Sequence, residues 1–387
     1  MKALNQLKTF QRILGSYPAE TPLSKFLPGF YRQNKQMGST DRKVASRLIY
    51  NYFRLGKALF NTPTEDRLMV AEFICNSQTN SFLQHFKPEW ALCVGFDIDE
   101  KIKIVKTAYP AFKLTDVFPW AADLSGDLDK DAFLKSVFVQ PDLFIRVRKG
   151  FDQHVKAILN KEGVVFKDEG NGCLALPNGT RLEAIFTQQN WYEVQDLSSQ
   201  QSAQYFKPQR WEAWWDACAA SGGKSLLLHE QQPDLKLVVS DIRESILSNL
   251  DERFQQAGLI KYQKKLLDLT KNVDPELHNY AFDGIILDAP CSGSGTWGRT
   301  PEMISQFQPQ KIEFFQRLQQ SISRNVVKYL KPGKPLIYIT CSAFKAENEE
   351  AVDFMVKELG LKLEESKILK GYDHRADTMF VARLLKA

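Results

Sequence analysis

Two short segments carry the residues best suited to chemistry. Leu287-Asp288-Ala289-Pro290-Cys291-Ser292-Gly293 and Tyr338-Ile339-Thr340-Cys341-Ser342 each place a cysteine just past an apolar run that reads as a buried strand. A lone cysteine is most often a small core hydrophobe. Two at matching strand ends, one of them close after Asp288, point instead to a reaction at a shared rim. The reaction that fits is methylation of a pyrimidine at carbon 5. That carbon is a poor nucleophile in the intact ring. A thiolate adding to carbon 6 breaks the aromaticity and makes carbon 5 enamine-like, able to attack an electrophilic methyl group. A proton then leaves carbon 5 and the thiol is expelled. The attacking thiol must be partly ionised, which an electropositive strand end assists. Asp288 supplies a proton or hydrogen bond at ring nitrogen 3, and the second thiol assists release as a base.

A third segment reads as a ligand loop. Asp216-Ala-Cys-Ala-Ala-Ser-Gly-Gly-Lys-Ser225 follows an apolar run and precedes a helical one. Gly222 and Gly223 let the backbone approach a ligand, and the helix start offers free N–H groups. Neither G-x-G-x-x-G nor G-x-x-x-x-G-K-[ST] is present, which weakens dinucleotide and nucleoside-triphosphate readings. A Gly-Gly turn by itself is usually structural. Asp241, ending the next apolar run, suits the two hydroxyls of a ribose, and Asp268, after YQKKLLD, suits an adenine amino group. Together they favour a nucleoside-containing ligand.

Parallel strands alternating with helices hold such residues at one rim. KLVVSD, IRESILSNLDERFQQAG, FDGIILDAPCSGSG and KPLIYITCS give that alternation from about 191 onward. ENEEAVDFMVKELG is a helix closed by Gly360, and KLEESKIL and DTMFVARLLK close the chain as a strand pair. Ahead of this lies a β-α-β-β pattern. SVFVQPDLFIRVRKG holds short β-rich runs, FDQHVKAILNKEG is a helix ended by Gly163, and VVFKDEGNGCLALPNG is two strands about a turn. Arg146, Arg148 and Lys149 in this module can meet a phosphate backbone or serve as plain surface charge. Residues 1–130 read as helical, with DRKVASRLIYNYFRLGKALF as the clearest helix and Ser39 or Thr40 as its N-cap.

With 387 residues, 43% hydrophobic, the chain is globular and large enough for two or three domains. No apolar run approaches the ~20 residues of a bilayer span, and the first residues lack a signal-peptide core. The expectation is a cytoplasmic protein. Six cysteines without a Cys-x-x-Cys pair, and five scattered histidines, indicate neither a zinc site nor a disulfide framework, so no metal is expected. Residues 1–57 hold eleven Lys and Arg against Glu20 and Asp41, a net +9, leaving −4 for the rest of a +5 chain. Aromatic residues interleave these cations. The pattern suits a nucleic-acid partner and equally a solvated helix face over a core stripe.

These motifs resemble the Fmu/Sun family of S-adenosylmethionine-dependent RNA cytosine-5 methyltransferases, over most of the chain. The family's D-x-C-A-A-P-G-G-K-T appears as DACAASGGKS, its D-A-P-C-S-G-x-G as DAPCSGSG, and its T-C-S with E-N-E as TCSAFKAENEE. Its V-Q-D-x-x-S-Q is Val194 to Gln200, and the ending resembles F-F-V-A-R-L. The resemblance implies Cys341 as nucleophile and Cys291 as the release-assisting thiol, with Asp288 beside them. It implies S-adenosylmethionine contacts from Cys218, Ala219, Ala220, Ser221, Gly222, Gly223 and Lys224, with Asp241, Asp268 and Asp288. It further implies an all-α NusB-like RNA-binding domain over 1–130 and a small α/β RNA-recognition-like module over 136–190. A Rossmann-like class I methyltransferase domain over 191–387 completes the multidomain chain.

The sequence departs from the family at several places. Ser221 stands for Pro, removing a φ constraint. Ser225 stands for Thr, and ADTMF replaces a glycine-containing stretch. WEAWWDAC is rich in tryptophan, and Trp211, Trp214 and Trp215 read as packing residues. The expected partner is RNA, ribosomal RNA or an assembling subunit first and transfer RNA second, with a monomer favoured. Two other readings stand beside it: a DNA cytosine-5 methyltransferase, and a non-catalytic RNA-binding assembly factor.

Overall fold

The structure is a computed structural model that describes residues 2–19, 21–188 and 190–387. Glu20, counted above among the acids, lies outside the described residues, with Met1 and Gln189. The chain divides into two compact units. One comprises Met1–Ala122, Asp129–Gln140 and Thr296–Gln308, and the other comprises Asp123–Leu128, Pro141–Gly295 and Pro309–Ala387. This division is coarser than the three-part reading of the sequence and draws 296–308 to the first unit.

Every regular element among the described residues of the first unit is a helix. The clearest sequence helix spans Ser39–Arg54, but its N-cap is Gly38, not Ser39 or Thr40, which both lie inside the first turn. Part of the basic segment is internal. Arg54 is 1% exposed, and its guanidinium donates to Val137 O (2.7 Å), Val139 O (3.3 Å) and Gln140 Oε1 (2.6 Å). Arg47 pairs with the buried Glu72 at 3.1 Å. Lys2, Lys8, Arg12, Lys25, Arg32, Lys35, Lys43 and Lys57 remain exposed.

The second unit contains two sheets. The smaller consists of β1 (Leu143–Val147), β2 (Lys167–Gly170), β3 (Cys173–Leu176) and β4 (Tyr192–Val194), in antiparallel order β2-β3-β1-β4. Residues 136–141, expected among the β-rich runs, instead finish the helix Lys130–Ser136 and its following turn. Asp129 caps that helix through Ala132 N, and Pro141 cannot extend it. Arg146 and Arg148 do not face outward. Arg146 is 4% exposed, donates to Gln195 Oε1 at 2.9 Å and pairs with Glu230, while Arg148 pairs with Glu193. Only Lys149 of the three cations is exposed.

The larger sheet has seven strands: β5 (Ala213–Asp216), β6 (Lys236–Asp241), β7 (Gln263–Leu266), β8 (Gly284–Asp288), β9 (Pro335–Thr340), β10 (Leu361–Leu369) and β11 (Met379–Lys386). Their order is β10-β11-β9-β8-β5-β6-β7. β5 to β9 are parallel, and β11 is antiparallel to β9 and β10. The sheet is a Rossmann-like arrangement of mostly parallel strands. Alternation along each strand feeds two cores. Trp215, Ile285, Leu287, Leu336 and Tyr338 pack on one face, and Trp214, Ile286, Ile337 and Ile339 on the other. Each aliphatic side chain so buried contributes about 1.5–3 kcal/mol. Trp214 and Trp215 are thus packing residues, whereas Trp211 is 62% exposed, stacked under Arg210 at 4.8 Å. Gly284 sits opposite Trp214, and a Cβ there would lie 2.4 Å from the indole. The strand therefore needs glycine for the tryptophan to fit.

Candidate active site

The two thiol-bearing loops leave adjacent strands at the same end. β8 and β9 pair in parallel with Asp288 opposite Ile339, so both chains turn out of the sheet within three residues of each other. The Sγ atoms of Cys291 and Cys341 lie 3.2 Å apart, and both residues are half-buried. The hydrogen bond to Cys341 raises the Cys291 thiol well above its usual range, with burial adding to the effect. Cys291 therefore keeps its proton, and the two sulfurs are close enough to share a hydrogen bond.

Backbone bonds fix the spacing of the loops. Ala289 N donates to Ile339 O (2.9 Å), and Gly295 N donates to Cys341 O (2.9 Å). Thr378 N in turn donates to Gly295 O (2.9 Å). A hydroxyl cluster lies beneath: Ser292, Ser294 and Ser342 oxygens stand 3.1–3.2 Å from one another. Glu347 and Asn348 reach the same cluster. Asn348 Nδ2 donates to Ser342 O and Ser125 Oγ, both at 2.9 Å, and its Oδ1 accepts from Thr340 Oγ1. In the sequence, Ser292, Ser294, Ser342, Glu347 and Asn348 stand only as parts of motifs. Their supporting positions were invisible because they depend on which loops the sheet brings together.

The ligand loop follows β5. Cys218, Ala219, Ala220 and Ser221 lead into the helix Gly223–Gln231 through Gly222, whose φ is +82°. A Cβ at Gly222 would lie 2.3 Å from the Phe254 ring, so glycine is required by packing as well as by backbone. Ala219 N donates to Ser240 O (2.8 Å) and Ala220 N to Asp241 Oδ2 (3.0 Å), binding the loop to the end of β6. Ser221, in the family's proline position, accepts from Arg253 Nη1 at 2.9 Å. Burial raises the Cys218 thiol, which stays protonated.

Lys224 links this loop to the thiol strands. Its ammonium is 3.0 Å from Asp288 Oδ2 and 2.8 Å from Ser199 Oγ. Gln195 braces the same group, donating to Ser199 Oγ (3.0 Å) and Gly223 O (3.4 Å). The Val194 to Gln200 motif thus supports Lys224 and Asp288, a role its sequence alone does not disclose.

Asp241 and Asp268 share one end of the sheet, for Leu267 N donates to Asp241 O at 3.1 Å. Both carboxylates are engaged. Asp241 Oδ1 accepts from Arg243 N and Nε (3.0 Å each), and Oδ2 accepts from Arg243 Nη2 (3.2 Å) as well as Ala220. Despite its burial, the Arg243 guanidinium and these hydrogen bonds hold its carboxyl below the usual range. A ribose diol at Asp241 would replace the Arg243 side chain. Asp268 lies two residues past β7, its Oδ1 accepting from Thr270 N and Oγ1. The structure pairs Cys291 with Cys341 and Lys224 with Asp288, three residues before Cys291, and sets Asp241 and Asp268 at neighbouring strand ends. No group of three or more metal-capable side chains occurs among the described residues.

Residues 203–385, which contain every one of these groups except Ser125, Gln195 and Ser199, match the family described as 16S rRNA methyltransferase RsmB/F. The match to that family covers 183 of the 387 residues, just under half of the chain. Ribosomal RNA small subunit methyltransferase B of Shewanella oneidensis is 35% identical over 210 residues, 50% of this chain and 47% of that protein. The probable enzyme of the same name in Bacillus subtilis is 30% identical over 271 residues, 70% of this chain and 54% of that protein. The chain spans about half the length of the curated relatives it matches. Two solved structures share the fold of this chain. A methyltransferase homolog protein from Pyrococcus horikoshii has a TM-score of 0.59 at 22% identity, over 74% of this chain and 98% of its own. NSun6 from the same organism, solved with SFG, has a TM-score of 0.58 at 18% identity, over 69% of this chain and 97% of its own. The RsmB/F match and the mostly parallel sheet agree on a methyltransferase fold.

Proposed function

We propose that this protein methylates carbon 5 of a cytosine in RNA, with small-subunit ribosomal RNA as substrate and S-adenosylmethionine as methyl donor. The observation that carries this reading is the 3.2 Å approach of two thiols from adjacent strand ends, one of them in the loop that begins at Asp288. The donor set suits the cofactor: carboxylates at the ends of β6 and β8 for hydroxyl and amino groups, the Lys224 ammonium for a carboxylate, and a glycine loop. When bound, S-adenosylmethionine supplies an electrophilic methyl carbon.

The residues of the chain do the rest. Cys341 Sγ attacks carbon 6 of a base taken out of its stack, forming the sulfur–carbon bond. Lys224 and Asp288 share a proton across their contact, and Asp288 in its protonated form gives it to ring nitrogen 3 as charge builds there, taking it back when the ring re-forms. Carbon 5 then takes the methyl group. For release, Cys291 passes its proton to the departing Cys341 sulfur and takes the proton leaving carbon 5. The sulfur–carbon bond breaks and the aromatic ring re-forms. In this reading Cys291 acts as a relay, which the raised thiol requires, and not as a resting base.

The helical unit, with its exposed cations, is assigned to RNA phosphates as the NusB-like domain. Bisulfite sequencing of small-subunit ribosomal RNA with and without the protein tests the reading. One protected cytosine lost on deletion supports it, and an unchanged pattern contradicts it.

A further inference from the structure

One buried carboxylate touches both thiol loops. Glu347 has no exposed surface and lies in the turn Lys345–Glu347 after β9. Its Oε2 accepts from Ser292 N at 2.8 Å and Gln319 Nε2 at 3.2 Å, and its Oε1 accepts from Ser342 Oγ at 2.7 Å. Ser292 follows Cys291 and Ser342 follows Cys341. Gln319, on the helix Gln310–Val326, also donates to Pro290 O at 3.1 Å, one residue before Cys291. The Glu347 carbonyl accepts from Tyr338 OH at 2.7 Å, which fastens the turn to β9.

We propose that Glu347 is a positioning residue, a clamp that sets the distance between the two thiols and keeps their shared proton on Cys291. The proposal rests on the roles given above to Cys341 and Cys291. Burial raises the Glu347 carboxyl, and the donors on its two oxygens oppose that shift by favouring the ionised form. No Lys or Arg pairs with it among the described residues, so its charge reaches the thiols without a counter-ion. The titratable groups facing Cys291 are Cys341 and Glu347, and both disfavour its ionisation. Tyr338 on β9 is itself raised by burial and by Glu347, and remains neutral. A neutral clamp of the same shape would hold the loops without biasing the proton. A shorter side chain would free the loops altogether.

The test compares Glu347→Gln and Ser342→Ala with the unmodified protein. Iodoacetamide alkylation of Cys291 and Cys341 is followed by peptide mass spectrometry from neutral to alkaline pH. In Glu347→Gln, Cys291 alkylation moves to lower pH and runs roughly threefold or more faster at a given pH. Ser342→Ala keeps the charge and loses one tie, so adduct formation on small-subunit ribosomal RNA slows several-fold at unchanged KM. It serves as the deciding variant if Glu347→Gln does not fold. Cys291 alkylation unchanged in Glu347→Gln, or adduct formation unchanged in Ser342→Ala, overturns the clamp. If the unmodified protein fails to methylate cytosine while Glu347→Gln still shifts Cys291 alkylation, the clamp stands and the proposed function falls.

Discussion

Lys224 and Asp288 form an ion pair at 3.0 Å that joins the ligand loop to the strand carrying Cys291. Lys224 is almost wholly enclosed, with 8% of its side chain exposed, and Ser199 takes a second ammonium proton. The pair therefore holds the Asp288 carboxyl group in one direction. We expect Asp288→Asn to lower kcat by about 10²–10⁴ with a small change in KM, the range for losing a positioned acid. Steady-state methylation of a ribosomal RNA fragment measures this. A large KM effect at constant kcat would make Asp288 a binding group instead.

Asp216 gives the fold a pH dependence. It ends β5 with no exposed surface, one oxygen held by Ser225 at 2.7 Å and the other without a hydrogen bond. Burial pushes its carboxyl from 3.8 up to about 7. The native state keeps this proton over a range where the unfolded chain has lost it. The resulting stabilisation is complete below pH 3.8 and is lost as the pH rises to about 7. Its full span is on the order of 4 kcal/mol. Asp216→Asn accepts the same Ser225 hydrogen bond but does not titrate. Denaturant midpoints should show the variant gaining on the parent as pH rises through this window. A constant difference would mean that Asp216 ionises normally.

Gly295 lies where three backbones meet. A Cβ there would stand 2.0 Å from Thr378 O and 3.0 Å from Cys341 O. Both partners are main-chain atoms, so neither can rotate away. Gly295→Ala should cost about 1–3 kcal/mol of stability and separate the thiol loops. Thermal denaturation together with the rate of Cys291 alkylation checks both effects.

The basic segment divides into two kinds of cation, and mutagenesis should separate them. Arg54→Ala leaves buried carbonyls without donors and should destabilise the protein by several kcal/mol. Arg32, Lys35 and Lys43 are exposed. Their joint replacement by alanine should leave the melting temperature unchanged. It should also lower the slope of log affinity for RNA against log salt by roughly two to three. An unchanged slope would remove the helical unit from the RNA interface.

Strand ends were legible in the sequence because parallel strands are buried on both faces and read as unbroken apolar runs. KLVVSD matches β6 residue for residue, and the runs before Cys291 and Cys341 are β8 and β9. Glycines at Gly163, Gly258 and Gly360 end their helices with positive φ. What could not be read was partnership across the fold. Arg146 and Arg148 look like surface cations until the small sheet sets them against Glu230 and Glu193. Ser39 and Thr40 have capping side chains, yet Gly38 takes the N-cap position and its carbonyl accepts from Arg42 N at 3.0 Å. Segment 296–308 follows a strand loop in sequence but belongs to the helical unit, where Trp297 packs on Phe118 and Trp120. Glu347 opens the E-N-E motif, but its role is not legible there, because its partners come from three separate stretches of chain.

The division of labour between the two thiols is open to one direct measurement. Each single alanine variant is incubated with S-adenosylmethionine and small-subunit ribosomal RNA, then separated by denaturing electrophoresis. The account predicts that Cys291→Ala accumulates a protein–RNA band that survives denaturation, and that Cys341→Ala forms none and transfers no methyl group. A trapped band with Cys341→Ala, or methylation by that variant at the parent rate, would contradict it.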